Sequence, residues 1–191
     1  MAKLDSSLKN MTLSLLLISL FMSAALGFVY NVTKEPITKS MKAKETNAIK
    51  DVLPSFDNDP MSSPLQINGL TFYIATKGKD TVGYAAKTYT DRGYSGRFDL
   101  MVGFLPNGSI NNIVVLQQNE TPGLGSNMSQ DKFRSQFLKL NIGELPDKLL
   151  KVRKDGGEID AISAATITSR AYCNALQKAY DELMKIQEES K

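Results

Sequence analysis

Histidine is absent from this 191-residue chain, and cysteine occurs once, as Cys173. Without histidine the chain lacks the usual general base and the commonest metal ligand. A single cysteine excludes an internal disulfide, a CxxC redox pair and an iron–sulfur cage held by this chain alone. Any redox chemistry would therefore need an organic cofactor. Charge of either sign is not in excess: 23 basic and 20 acidic side chains leave a formal net charge of +3. That balance, with no basic block interleaved with aromatics, argues against nucleic acid as a partner. No internal repeat is present, and no metal-ligand spacing.

Charge is also missing locally. From Asn10 to Thr33 no residue is charged, and about 20 apolar residues suffice to cross a bilayer core. Ser23-Ala24-Ala25 offers small residues for signal cleavage, but the run exceeds the ~7–15 apolar residues of a signal peptide. An uncleaved, single-pass transmembrane helix over 10–33 is expected, after a tail at 1–9. Lysines lie on both sides, Lys3 and Lys9 before and Lys34, Lys39, Lys42 and Lys44 after, so their count does not set the orientation. A long domain after a short tail favours translocation of the C-terminal part.

Beyond the apolar run, the pattern predicts a stalk helix over 34–54, stopped by Pro54, and one α+β domain over 55–191. Residues 55–66 read as loop. Strands are expected at 70–76, 81–89, 98–104 and 110–118. The last two form a hairpin around Asn107-Gly108, with Phe98, Leu100, Val102 and Phe104 on one face. A short helix over 126–139 would carry Met128, Phe133 and Phe137. Tyr172, Leu176, Ala179, Leu183 and Ile186 recur at helical spacing and predict a helix from Ile167 onward.

Where that last helix begins, Ser163, Thr166, Thr168 and Ser169 cluster within DAISAATITSRA. Hydroxyls at a helix start ordinarily cap it, for ~1 kcal/mol. The same place also holds phosphate, because free N–H groups and the dipole end are there. A second stretch, NETPGLGSN at 119–127, reads locally as a type II turn with Pro122 and Gly123 central.

Asp160-Ala-Ile-Ser163-Ala164-Ala165-Thr166-Ile167-Thr168 resembles the flavinylation motif of the FMN-binding subunits of membrane redox complexes, with Ala164 where the family usually has glycine. Glu120-Thr121-Pro122-Gly123-Leu124-Gly125 resembles that family's Glu-Thr-Pro-Gly-Leu-Gly loop. Size and layout are most similar to the G subunit of the Rnf electron transport complex, a ferredoxin:NAD oxidoreductase. The C subunit of the sodium-translocating NADH:quinone reductase is similar but usually longer.

The resemblance implies FMN bound covalently as a phosphoester on Thr166. It implies Asp160, Ser163, Ala165, Ile167, Thr168, Glu120, Thr121, Gly123, Leu124 and Gly125 around the cofactor. Thr168 and Ser169 would hold the phosphate charge, and Gly125 would leave room for the ring. It implies an electron-relay subunit of an ion-translocating oxidoreductase, with no complete active site of its own. Its partners would be the other membrane subunits, membrane lipid and a flavin transferase. The domain would lie on the extracytoplasmic face of the cell membrane. The reading of different class is a membrane-anchored binding or scaffold module in which the threonine only caps the helix. Cys173 is expected to be buried and Arg170 solvated. Tyr84, Tyr89 and Tyr94 are expected to pack, and Gly93-Tyr94-Ser95-Gly96 resembles a further family loop.

Overall fold

A computed structural model describes residues 7–189. Positions 1–6 of the expected tail and the last two residues lie outside them. The first element, α1 (Leu8–Val52), is one continuous helix that runs through Pro36. It is long and apolar enough to cross a membrane, and its apolar window is not buried. It ends just before Pro54, whose ring disfavours helical backbone in the residue preceding it. The chain divides into two compact units at Ala43/Lys44. The last turns of α1 therefore belong with the folded domain.

That domain is an antiparallel five-stranded meander in the order β1 (Leu65–Ile67), β2 (Leu70–Lys77), β3 (Asp80–Gly93), β4 (Gly96–Phe104) and β5 (Ile110–Gln117). With the helices described below, the class is α+β, as expected. The edge strand β1 falls where mostly loop is expected. It pairs with β2 across Asn68-Gly69, both at positive φ (49° and 79°), a hairpin conformation that these two residue types tolerate best. Asn107-Gly108 turns the β4–β5 hairpin as expected, with Gly108 at φ 84°.

Both faces of the sheet are covered. One carries Phe72, Leu100, Val102 and Phe104, packed against α3 (Thr166–Glu189). Tyr172, Leu176, Ala179, Leu183 and Ile186 of α3 are buried there, whereas Ile167 stays 49% exposed. The Thr88 hydroxyl donates to the Ala175 carbonyl at 2.9 Å, fixing helix to sheet. The opposite face carries Tyr73, Ala75, Ala85 and Met101 under Ala48, Ile49 and Val52 of α1. Gly103 permits this contact: a Cβ there would lie 1.9 Å from the Val52 carbonyl oxygen. Each fully buried aliphatic or aromatic side chain contributes ~1.5–3 kcal/mol.

The helix expected over 126–139 is instead three short pieces: a 3-10 turn at Gly125–Ser129, α2 (Asp131–Arg134) and a 3-10 turn at Ser135–Phe137. Gln130 is extended, at ψ 146°. The short polar side chains bond locally and compete with the helix. Asn127 donates to the Gly123 carbonyl at 2.8 Å and accepts from Gln130 at 2.9 Å. Met128, Phe133 and Phe137 are nonetheless buried, as their pattern implies.

Candidate functional site

The ETPGLG loop leaves the end of β5 and folds on itself. Leu124 N–H donates to the Thr121 carbonyl at 3.1 Å, and Gly123 has φ 77°. That is the type II turn geometry expected for Pro122-Gly123. Glu120, at its start, is 5% exposed. Its carboxylate accepts from Ser95 N–H at 3.1 Å and from the Thr168 hydroxyl at 2.9 Å. One buried carboxylate thus joins the β3–β4 turn, the loop and the start of α3.

Two glycines make this possible. A Cβ on Gly93 would lie 2.6 Å from Glu120 Oε1, and one on Gly125 would lie 2.4 Å from Glu120 Oε2. Gly125 is expected from the sequence to leave room for a ring. Its missing side chain also lets Glu120 and Thr168 meet.

The hydroxyl cluster separates into distinct roles. Ser169 is fully buried, donates to the Ala165 carbonyl at 2.9 Å and accepts from Ile162 N–H at 2.9 Å. Thr168 is committed to Glu120. Both hydroxyls brace the motif against the core. Thr166 is half-buried at the first position of α3, and its Oγ accepts from Lys154 Nζ at 3.4 Å. Ser163 is exposed. The amides of Thr166, Ile167 and Thr168 have no acceptor within the helix, as at any helix start. Just before them Ala164 sits at φ 58°, a region glycine enters freely and alanine does not.

The motif residues other than Pro122 border one of two adjoining cavities that share Leu124 and Ala164, and Ser169 lies behind them in the core. The first, of about 500 Å³, has Thr166, Ala165, Ile167, Thr168, Glu120, Thr121, Leu124 and Gly125 in its wall. The second, of about 700 Å³, has Gly123, Asp160 and Ser163. Such volumes are typical of small-molecule sites. Tyr94, Leu124 and Ile167, exposed by 71%, 41% and 49%, stand around the first cavity. Tyr94 projects from the Gly-Tyr-Ser-Gly turn. Tyr89 is elsewhere, with Arg97 4.0 Å from its ring centre.

Lys154 carries no signal in the linear sequence. It reaches the site through a 3-10 turn, Arg153–Asp155, closed by Gly156 at φ 83°. Two ion pairs anchor the turn. Arg153 meets Asp160 at 2.8 Å, and Arg170 grips Asp155 with two hydrogen bonds at 2.7 and 2.6 Å. The Arg170 guanidinium holds the Asp155 carboxyl below the usual carboxylate range. Arg170 is therefore paired rather than simply solvated. Cys173 is buried as expected, and burial pushes its thiol up to about 12.

At the start of α3 a half-exposed threonine hydroxyl thus has an ammonium beside it and an apolar rim around it. Residues 93–181 match the FMN-binding domain family. The chain belongs to the family of G subunits of ion-translocating oxidoreductase complexes. It is 31% identical over 187 residues to the G subunit of the ion-translocating oxidoreductase complex of Shewanella piezotolerans, covering 91% of this chain and 88% of that protein. It is 30% identical over 176 residues to the G subunit of the proton-translocating ferredoxin:NAD(+) oxidoreductase complex of Clostridium ljungdahlii, covering 92% and 89%. A more distant match is the crystal structure of the C subunit of Na(+)-translocating NADH-quinone reductase from Parabacteroides distasonis. Its TM-score is 0.49 at 19% identity, over 68% of this chain and 75% of that one.

Proposed function

We propose that this chain carries FMN as a phosphoester on Thr166 and relays electrons as an anchored subunit of an ion-translocating oxidoreductase complex. One observation carries the attachment point. Of the hydroxyls in the first turn of α3, those of Thr168 and Ser169 are buried in internal hydrogen bonds, whereas Thr166 faces the cavity beside an ammonium. A purely capping threonine would accept a hydrogen bond from a helix amide. Thr166 accepts from Lys154 instead.

The donor set fits the cofactor. The free amides of the helix start and Lys154 suit a phosphate. Tyr94, Leu124 and Ile167 offer apolar contact to a ring. The bound flavin supplies the electron-transfer chemistry, and the protein supplies position and surroundings. Glu120, Gly125 and Thr168 keep the loop and the helix start in register. A covalent tether suits a domain on the extracytoplasmic face, where a free cofactor would be lost to bulk solvent.

The organisation that supports this role is a membrane span over 10–33, a stalk over 34–54 and the FMN domain over 55–191. The terminal turns of the stalk are packed into the domain core. The other membrane subunits of the complex supply donor and acceptor. A flavin transferase makes the bond, and lipid surrounds the span.

The test is Thr166→Ala in the full chain produced with the transferase. The wild type should show a flavin-fluorescent band in a denaturing gel and an FMN adduct by intact mass. The variant should fold and show neither. An unchanged adduct in the variant would end the assignment.

A further inference from the structure

We propose that Lys154 is the counter-ion of the flavin phosphate at Thr166, a positioning residue that restrains the cofactor without taking part in its attachment. This rests on the reading of Thr166 as the attachment point. A phosphodiester keeps one negative charge at neutral pH. An ammonium 3.4 Å from Thr166 Oγ stands beside whatever that oxygen bears. Lysine is suited to the task, being a compact point charge with three donors on a flexible stem.

The two neighbouring arginines are each held by a carboxylate. Arg153 is paired with Asp160 and Arg170 with Asp155, at 2.8 and 2.6 Å. Lys154 lies between Arg153 and Asp155 in sequence, and among the described residues no carboxylate pairs with it. Its one hydrogen bond there is to the Thr166 hydroxyl.

The presentation of Lys154 is built into the backbone. The two ion pairs tie the Arg153–Asp155 turn to Asp160, six residues before Thr166, and to α3 itself. Arg153 N–H donates to the Ile159 carbonyl at 2.7 Å, and Gly157 N–H to the Val152 carbonyl at 3.1 Å. A Cβ on Gly157 would lie 2.1 Å from the Lys151 carbonyl oxygen, so the turn closes only with glycine there. The segment from Val152 to Ile159 therefore returns on itself and projects Lys154 over the helix start. The contact is exposed to water, so its contribution is modest and screened by salt.

The experiment uses full-length chain in detergent, produced with the transferase, as wild type, Lys154→Gln, Lys154→Arg and Thr166→Ala. Attachment is read by intact mass. Restraint is read by the anisotropy decay of flavin fluorescence and by the 31P resonance of the phosphodiester, at low and at ~1 M salt, where charges are screened within a few ångströms. Lys154→Gln should carry FMN. Its ratio of mobile to held flavin should rise about two- to fivefold, the range of an exposed ion pair, and its 31P shift should lose its salt dependence. Lys154→Arg should restore both.

A flavinylated Lys154→Gln protein that matches wild type in anisotropy and 31P shift would overturn the proposal. So would a Lys154→Gln protein that takes up no FMN while Lys154→Arg does, because the residue would then act in attachment. Wild type without an adduct, or Thr166→Ala with one, would instead defeat the attachment reading, and the role of Lys154 with it.

Discussion

The Thr168 hydroxyl donates to the buried carboxylate of Glu120 at 2.9 Å, across 48 residues of sequence. This contact joins the two motifs. Replacing Glu120 with alanine would leave the Thr168 hydroxyl and Ser95 N–H without their acceptor. A loss of about 3 kcal/mol is expected, read from denaturant unfolding. A glutamine at this position would keep the volume and one acceptor, so Glu120→Gln should lose about half as much. A Glu120→Ala variant as stable as wild type would show that the carboxylate does not join the motifs.

Gly123 and Gly125 should respond differently to the same added methyl. At Gly123 the Cβ meets nothing within 4 Å but the backbone has φ 77°, so Gly123→Ala should cost about 1–2 kcal/mol of backbone strain. At Gly125 the Cβ would press on Glu120 and Thr168 at 2.4–2.8 Å. Gly125→Ala should therefore cost more, about 2–3 kcal/mol, and should lower flavin attachment by displacing the helix start. Equal effects of the two changes on stability and attachment would contradict this.

Ala164 holds φ 58° with a side chain that disfavours it. Ala164→Gly should relieve about 1–2 kcal/mol of strain against a smaller entropic loss in the unfolded chain. A net gain of about 0.5–1 kcal/mol should appear as a higher unfolding midpoint, with attachment unchanged. A lower midpoint would mean that the strain is absent.

Cys173 should resist alkylation by iodoacetamide at about pH 8, close to the ordinary thiol pKa, in the folded chain and react after unfolding. Burial raises its folded pKa from the ordinary thiol value to about 12. Between these values the unfolded thiol has lost its proton and the folded one has not. Its contribution is complete below the unfolded value and declines as pH rises toward the folded one. Cys173→Ala should flatten that part of the alkaline stability curve. Rapid alkylation of the native chain would show that the thiol is not enclosed.

The alternating strands and α3 were legible because Phe98, Leu100, Val102 and Phe104 share one face of β4, the one α3 covers, and Tyr172 to Ile186 keep helical spacing. The edge strand at Leu65–Ile67 is too short to show a period, although Asn68-Gly69 was a usable signal. The broken helix over 126–139 was misleading for a different reason. Its apolar spacing fits a helix, but Asn127 and Gln130 satisfy each other and the backbone locally. Around the two cavities, the motifs were legible only as separate local stretches. The burial of Glu120 was not, since its partners lie 25 and 48 residues away. Nor was Lys154, which reaches Thr166 only because Asp160 and Arg170 hold its turn. The sense of Gly125 also needed coordinates, because a missing side chain does not announce which neighbour occupies its space.

Val52 lies against Gly103 so closely that no side chain fits between them, and this makes the end of the anchor helix and the domain core one inheritance. The C-terminal turns of α1 are at once the end of a tether and a layer of the fold. A soluble fragment begun at residue 55, where the expected stalk has ended, would bare Tyr73, Ala75 and Met101 to water. One begun at residue 44 would keep them covered. Exchange of anchors between relatives is therefore free only upstream of Lys44. Beyond it, a graft must bring a helix whose last turns match the sheet it lands on.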